Sequence, residues 1–203
     1  GPKMAAAPSL SEHVVLITGA GRGLGAAIAR AAAREGARVV VNYRRSADAA
    51  VALAAEFGDR ALAVEADVTD PDAVQTMIDA ATTHFGAPIT AVVNNALPDY
   101  SFNGDARSTA DTITTAELDA QFRGIVGGAL TVVQATLPGM REAGTGRIVN
   151  IGTNLLQHPV VPYHDYTAAK AALLSLTRTF AKDLGPAGVR VNMVSGGLLR
   201  TTD

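Results

Sequence analysis

The chain has 203 residues, a formal net charge of −2, 48% apolar and 4% aromatic residues, and no cysteine. Near-neutral charge without a basic run gives neither nucleic acid nor an anionic membrane a handle, and no apolar stretch approaches the roughly 20 residues of a membrane span. The lack of cysteine excludes disulfides, cysteine nucleophiles and thiolate metal sites, and fits a cytoplasmic setting, the expected location.

Taken in chain order, Gly1-Pro2-Lys3 ahead of Met4 reads as a cloning scar rather than fold. Strands are predicted at 14–18, 38–43, 60–66, 91–95, 147–151 and 189–194. Most are apolar throughout, the pattern of strands covered on both faces by helices in a parallel sheet. Between them, Ser46 opens a helix that Gly58 closes, and Asp70-Pro71 supplies an N-cap and N1 proline for a helix ending at Gly86. Thr114 and Glu117 have capping-box spacing before a helix reaching Arg141, and a further helix runs from Tyr166 to Asp183. The polar stretch 98–111 reads as a surface loop. Strand–helix alternation predicts an α/β fold over residues 1–203, a doubly wound, mostly parallel Rossmann sheet with helices on both faces.

The segment "TGAGRGLG" follows the first strand and opens the first helix. Glycines there let a pyrophosphate approach the backbone while helix N–H groups face its charge, so Thr18, Gly19, Gly21, Arg22, Gly23, Leu24 and Gly25 are candidate cofactor ligands. An Asp or Glu at the end of the second strand would bind a ribose 2′-hydroxyl. This chain has "VNYRRS" instead, with Tyr43, Arg44 and Arg45 and no acid. A 2′-phosphate wants a guanidinium and rejects a carboxylate, which favours NADP(H) over NAD(H). Asp67, with Val68, ends the third strand, where an acid can meet an adenine amino group or simply cap the helix approach.

With "TGAGRGLG", Asp67-Val68, "NNA" at Asn94–Ala96, "GRIVNIGT", "YTAAK" and "RVNMVSGGLLRT" in that order, the chain resembles the short-chain dehydrogenase/reductase family. Within it, the chain looks most like the 3-oxoacyl-carrier-protein reductase type, and "VNYRRSADAA" also resembles pteridine reductases. Tyr166 and Lys170 stand four apart on one helix face. A phenol titrates near 10, and an ammonium one turn away favours the phenolate. Tyr166 is therefore the candidate acid–base group with Lys170 tuning it. Spacing alone favours an ordinary surface pair, since i,i+4 pairs are common; the surrounding motifs reverse that and supply the functional reading. The resemblance further implies that Lys170 and Asn94, Ala96, Gly197 and Thr201 touch the cofactor, and that Thr153 stands where a serine holds the substrate carbonyl. A threonine there keeps the hydroxyl but adds a methyl and a restricted χ1.

Other positions depart from the family pattern. Ile125 falls where an asparagine helps a water relay to the lysine, and isoleucine cannot hydrogen-bond. Leu97 replaces the glycine of "NNAG" and is expected to crowd a backbone that runs near the cofactor ribose, and Gly196-Gly197 replaces "PG", which loosens the turn after the sixth strand. His158 and His164 match no metal spacing and read as solvated loop histidines; no metal is expected, and no "GxSxG" elbow is present. Family members continue past residue 203 into a lid and a final strand, so that segment is expected to be absent from this chain, and substrate choice with it. Ala-, Gly-, Leu- and Val-rich faces on the Thr114-to-Arg141 and Tyr166-to-Asp183 helices permit close helix approach. They either only cover the sheet or, as the resemblance implies, pair copies into a homodimer or homotetramer. The leading expectation is an NADPH-dependent reductase of a small-molecule carbonyl, first a 3-oxoacyl thioester. The rivals are a pteridine or other cyclic ketone as substrate, and a dinucleotide-binding sensor or scaffold with little catalysis, motivated by Ile125, Leu97 and Thr153.

Overall fold

A computed structural model describes residues 9–98, 106–152 and 163–195. Its six strands are β1 (Val14–Ile17), β2 (Arg38–Tyr43), β3 (Ala61–Glu65), β4 (Ala91–Asn94), β5 (Gly146–Ile151) and β6 (Val189–Val194). They form one sheet in the order β3-β2-β1-β4-β5-β6, and every neighbouring pair is parallel. The order reverses between β1 and β4, the crevice where open α/β sheets bind ligands beyond the carboxyl ends of their strands.

Side chains alternate across this sheet, and both faces are apolar. In β1, Val14 and Leu16 pack with Val74, Met77, Val132 and Met140, on the side of α3 (Pro71–Phe85) and α5 (Gly128–Ala143). Val15 and Ile17 face Ala29, Ala33 and Leu53, on α1 (Gly23–Arg34) and α2 (Ala47–Ala55). Burial on both faces is why the strands read as continuous apolar runs. Alanines on α1 bring that helix close to the sheet, so the glycine loop ahead of it lies directly over the strand ends.

The helix signals hold in part. Asp70 accepts from the backbone N–H groups of Asp72 and Ala73, and Gly86 ends α3 in the left-handed conformation at φ 64°. Thr114 Oγ1 accepts from Glu117 N at 3.2 Å and opens α4 (Thr115–Phe122). Ser46 contributes its carbonyl to Ala50 N but no side-chain cap, and α2 stops at Ala55, before Gly58. The helix begun at Thr114 does not run uniformly: a π-helical turn, Arg123–Gly127, joins α4 to α5. A Cβ on Gly124 would stand 2.6 Å from Pro98 Cβ, and one on Gly128 2.8 Å from Val68 Cγ2. These glycines let the helix press on the loops after β4 and β3, and Ile125 is buried within the π turn. The remaining helix, α6, spans His164–Leu184.

Candidate active site

The backbone after β1 is bare because it is crowded. Gly19 adopts φ +61°, and a Cβ there would lie 2.9 Å from Ala96 Cα. Two amides hold the loop. Asn42 Oδ1 accepts from Gly19 N at 3.1 Å, and Asn95 Nδ2 donates to the carbonyls of Thr18 and Gly19 at 3.2 and 3.1 Å. Gly25 is glycine for packing: a Cβ would collide with Gly19 O. Thr18 Oγ1 accepts from Asn95 N and Ala96 N at 2.9 and 3.0 Å. Thr18 is buried and braces the loop from beneath, whereas Asn94, also buried, donates to Asn150 of β5.

Above the loop lies a cleft of about 1600 Å³. Gly19, Gly21, Arg22, Gly23, Leu24, Tyr43, Arg44, Arg45, Asp67, Val68, Ala96, Tyr166 and Lys170 all line it, so one surface gathers most of the expected contacts. Thr18, Gly25 and Asn94 stand behind that surface. Thr153, His158, Gly197 and Thr201 lie outside the described residues. His164, the first residue of α6, is not among the cleft's lining residues.

A nicotinamide dinucleotide fits what is present. No side chain caps α1, so its first N–H groups and the positive end of its dipole are available to a pyrophosphate. A Cβ on Gly23, at φ +58°, would meet nothing within 4 Å and would intrude on that open ground. Beyond β2, Arg44 Nε stands 3.7 Å from Asp67 Oδ2. Asp67 is held below the usual carboxylate range, first by the Thr69 hydroxyl, then by the Thr69 amide and Arg44, against the opposing effect of burial. Of the two roles the sequence left open, Asp67 takes the turn cap, and its side chain also lines the cleft.

At the reactive end, Tyr166 is 7% and Lys170 5% exposed. The Lys170 ammonium lies 5.8 Å from the Tyr166 ring centroid and donates to Ile151 O at 2.6 Å. Burial pushes its pKa down to about 8. Ile125, 3% exposed, packs in one apolar cluster with Val126, Ala129, Tyr163, Tyr166 and Leu173. Leu97 is 46% exposed and lines the cleft rather than crowding the backbone beneath it.

Sequence reasoning missed Asn42 and Asn95. A lone amide at the end of the otherwise apolar "RVVVNY" was the available signal for Asn42, because a buried amide must find a partner. Asn95 sat inside a quoted motif without a role. Among the described residues, no group of three His, Asp or Glu side chains is placed to hold a metal ion, and no helix is long and apolar enough to cross a membrane.

The sequence profile of the short chain dehydrogenase family matches residues 13–203. A versicolorin reductase of Emericella nidulans is 36% identical over 196 residues, covering 95% of this chain and 71% of that protein. Among solved structures, a 3-ketoacyl-(acyl-carrier-protein) reductase from Brucella melitensis complexed with NADH superposes with a TM-score of 0.81 at 32% identity, covering 92% of this chain and 75% of that one. A short chain dehydrogenase from Burkholderia cenocepacia in complex with NADP gives 0.78 at 36% identity, covering 93% and 75%. With a matching profile across nearly its whole length, an all-parallel sheet in the 3-2-1-4-5-6 order, and a tyrosine–lysine pair beside a glycine loop, the chain belongs to the short-chain dehydrogenase/reductase family, oxidoreductases that interconvert carbonyls and alcohols with a nicotinamide cofactor.

Proposed function

We propose that the chain reduces a small-molecule ketone, in the first instance a 3-oxoacyl thioester, to a secondary alcohol with NADPH. The observation that carries this reading is the buried Tyr166–Lys170 pair opening onto the same cleft as the uncapped N-terminus of α1. A nicotinamide supplies the hydride when bound. Tyr166 delivers the phenolic proton to the carbonyl oxygen, so one hydride and one proton convert C=O to CH–OH. Lys170 stabilises the phenolate left behind. Thr153, two residues past β5, is the proposed donor to the carbonyl oxygen. Leu97 and Pro98, with Ala116 and Ala120 of α4, give the cleft an apolar wall suited to an acyl chain.

NADPH is preferred over NADH in this reading because Arg44 and Arg45 line the cleft beyond β2 with no carboxylate at the strand end. The test is cofactor oxidation with an acetoacetyl thioester, NADPH and NADH in parallel. The expected result is turnover with NADPH and little with NADH. Arg44→Ala should raise KM for NADPH by about 10- to 100-fold, the worth of a charge-assisted phosphate contact, and leave NADH nearly unchanged. Equal use of both cofactors by the unaltered protein would end the 2′-phosphate argument. Turnover of a cyclic ketone but not the thioester would move the substrate class instead.

A second copy of the chain is the proposed partner. Leu118 and Phe122, four apart on α4, are 37% and 52% exposed, an apolar stripe on the helix pair expected to join copies. Light scattering at micromolar concentration should give a dimer or tetramer; a monomer would count against this surface.

A further inference from the structure

Four buried residues of α6, Tyr166, Lys170, Leu173 and Thr177, fall at i, i+4, i+7 and i+11, one stripe along the helix. Tyr166 and Lys170 line the cleft and carry the proposed chemistry; Thr177 does not line it. Thr177 is 4% exposed and stands about three turns from Tyr166, roughly 16 Å along the axis.

Hydrogen bonds fasten α6 to β5 at two levels of that stripe. Lys170 Nζ donates to Ile151 O at 2.6 Å, and Asn150 Nδ2 donates to Thr177 Oγ1 at 2.9 Å. The Thr177 hydroxyl gives its own proton to Leu173 O at 2.7 Å, so it meets Asn150 as an acceptor. Asn150 is 3% exposed and is held from its other side, where Oδ1 accepts from Asn94 Nδ2 of β4 at 2.9 Å. One hydroxyl thus donates and accepts at once, which no apolar side chain of its size can do.

The rest of this stretch offers little to hold the helix in register. Ala168 and Ala169 precede Lys170, and Ala171 and Ala172 follow it. Alanines raise shallow ridges for interlocking with a neighbour, and apolar burial sets no direction. A single hydrogen bond at Lys170 would leave the helix free to pivot about it. A second one, about two turns further on, fixes slide and rotation together.

We propose that Thr177, held by Asn150, is a positioning residue: it sets where α6 sits on β5, and so where the Tyr166 hydroxyl and the Lys170 ammonium stand in the cleft. The inference rests on the reductase reading for what Tyr166 does there, not for the seating of the helix.

Thr177→Val keeps the volume and removes the hydroxyl. It should lower kcat for ketone reduction by about 10- to 100-fold, the scale of a misplacement near 1 Å. Affinity for NADPH, measured by fluorescence, should stay within a few-fold, because the glycine loop and α1 are seated elsewhere. Thr177→Ser should recover most of the lost kcat. A merely structural threonine would lower the urea midpoint and leave the kcat of the folded protein alone. An unchanged kcat, or a serine variant as slow as the valine one, therefore overturns the role. Crystal structures of the parent and Thr177→Val read the seating without any turnover. Tyr166 should be displaced relative to β5 by more than about 0.5 Å, the tolerance of a catalytic constellation; an undisplaced Tyr166 overturns the proposal. If Thr177→Val does not fold, Thr177→Ala is read in the same way. A displaced helix in a protein that turns over no ketone removes the reductase reading and supports the seating.

Discussion

Tyr166→Phe is expected to lower kcat for ketone reduction by about 10³-fold while leaving NADPH affinity within a few-fold. Removing the phenolic oxygen takes away the group on α6 assigned to hand a proton to the carbonyl oxygen; Lys170, which lines the same cleft, gives a donor to Ile151 O and stands 5.8 Å from the Tyr166 ring centroid. General acid–base groups contribute roughly 10²–10⁴, and the expected figure sits in that range because buried Tyr166 works without competing bulk water. Phenylalanine fits the existing apolar cluster with Ile125, Ala169 and Leu173, so the fold should not report the change. The measurement is steady-state kinetics with cofactor binding followed separately by fluorescence. A loss of binding equal to the loss of kcat would mean that the ring, not its hydroxyl, was the functional part.

Much of this site was legible because family motifs and elementary physics agree at the same residues. The glycines after β1, the arginines after β2 and the Tyr166–Lys170 spacing are local signals, and the sheet brings them to one cleft. What stayed hidden is non-local. Asn94 and Asn150 are 56 positions apart, and Asn150 and Thr177 are 27, so no window of sequence shows them as one hydrogen-bonded chain. The π turn was hidden for a related reason. Gly124 within it and Gly128 just after it look like weak helix formers until Pro98 and Val68, brought in from other loops, show why a side chain has no room at either. Leu97 taught the opposite lesson: a substitution expected to crowd the backbone points into the cleft and becomes part of its wall.

Lys170→Met should separate the cost of the site from its use. The unfolded chain's lysine titrates near 10.5, and the buried one near 8. Below about pH 8 both states hold the proton, and the folded protein bears the full cost of burying an ammonium. Between about 8 and 10.5 the unfolded chain binds a proton that the folded one has released, so stability rises with pH through that window. The difference is about 3 kcal/mol. Methionine removes that cost at neutral pH but strands Ile151 O, which loses its 2.6 Å donor and takes back about 1–3 kcal/mol. The variant should therefore be modestly more stable than the parent at pH 7, less stable at pH 10.5, and lacking the alkaline rise, while its kcat falls by about 10²- to 10⁴-fold. Urea unfolding of both proteins without cofactor, at pH 7 and above 9, reads this directly, since the difference between the two pH profiles isolates Lys170 from every other titrating group. Parallel profiles would mean that the folded lysine keeps its ordinary affinity for protons. Its hold on the Tyr166 phenolate would then have to come from the ammonium's position alone, with none of the proton exchange near pH 8 that its burial makes available.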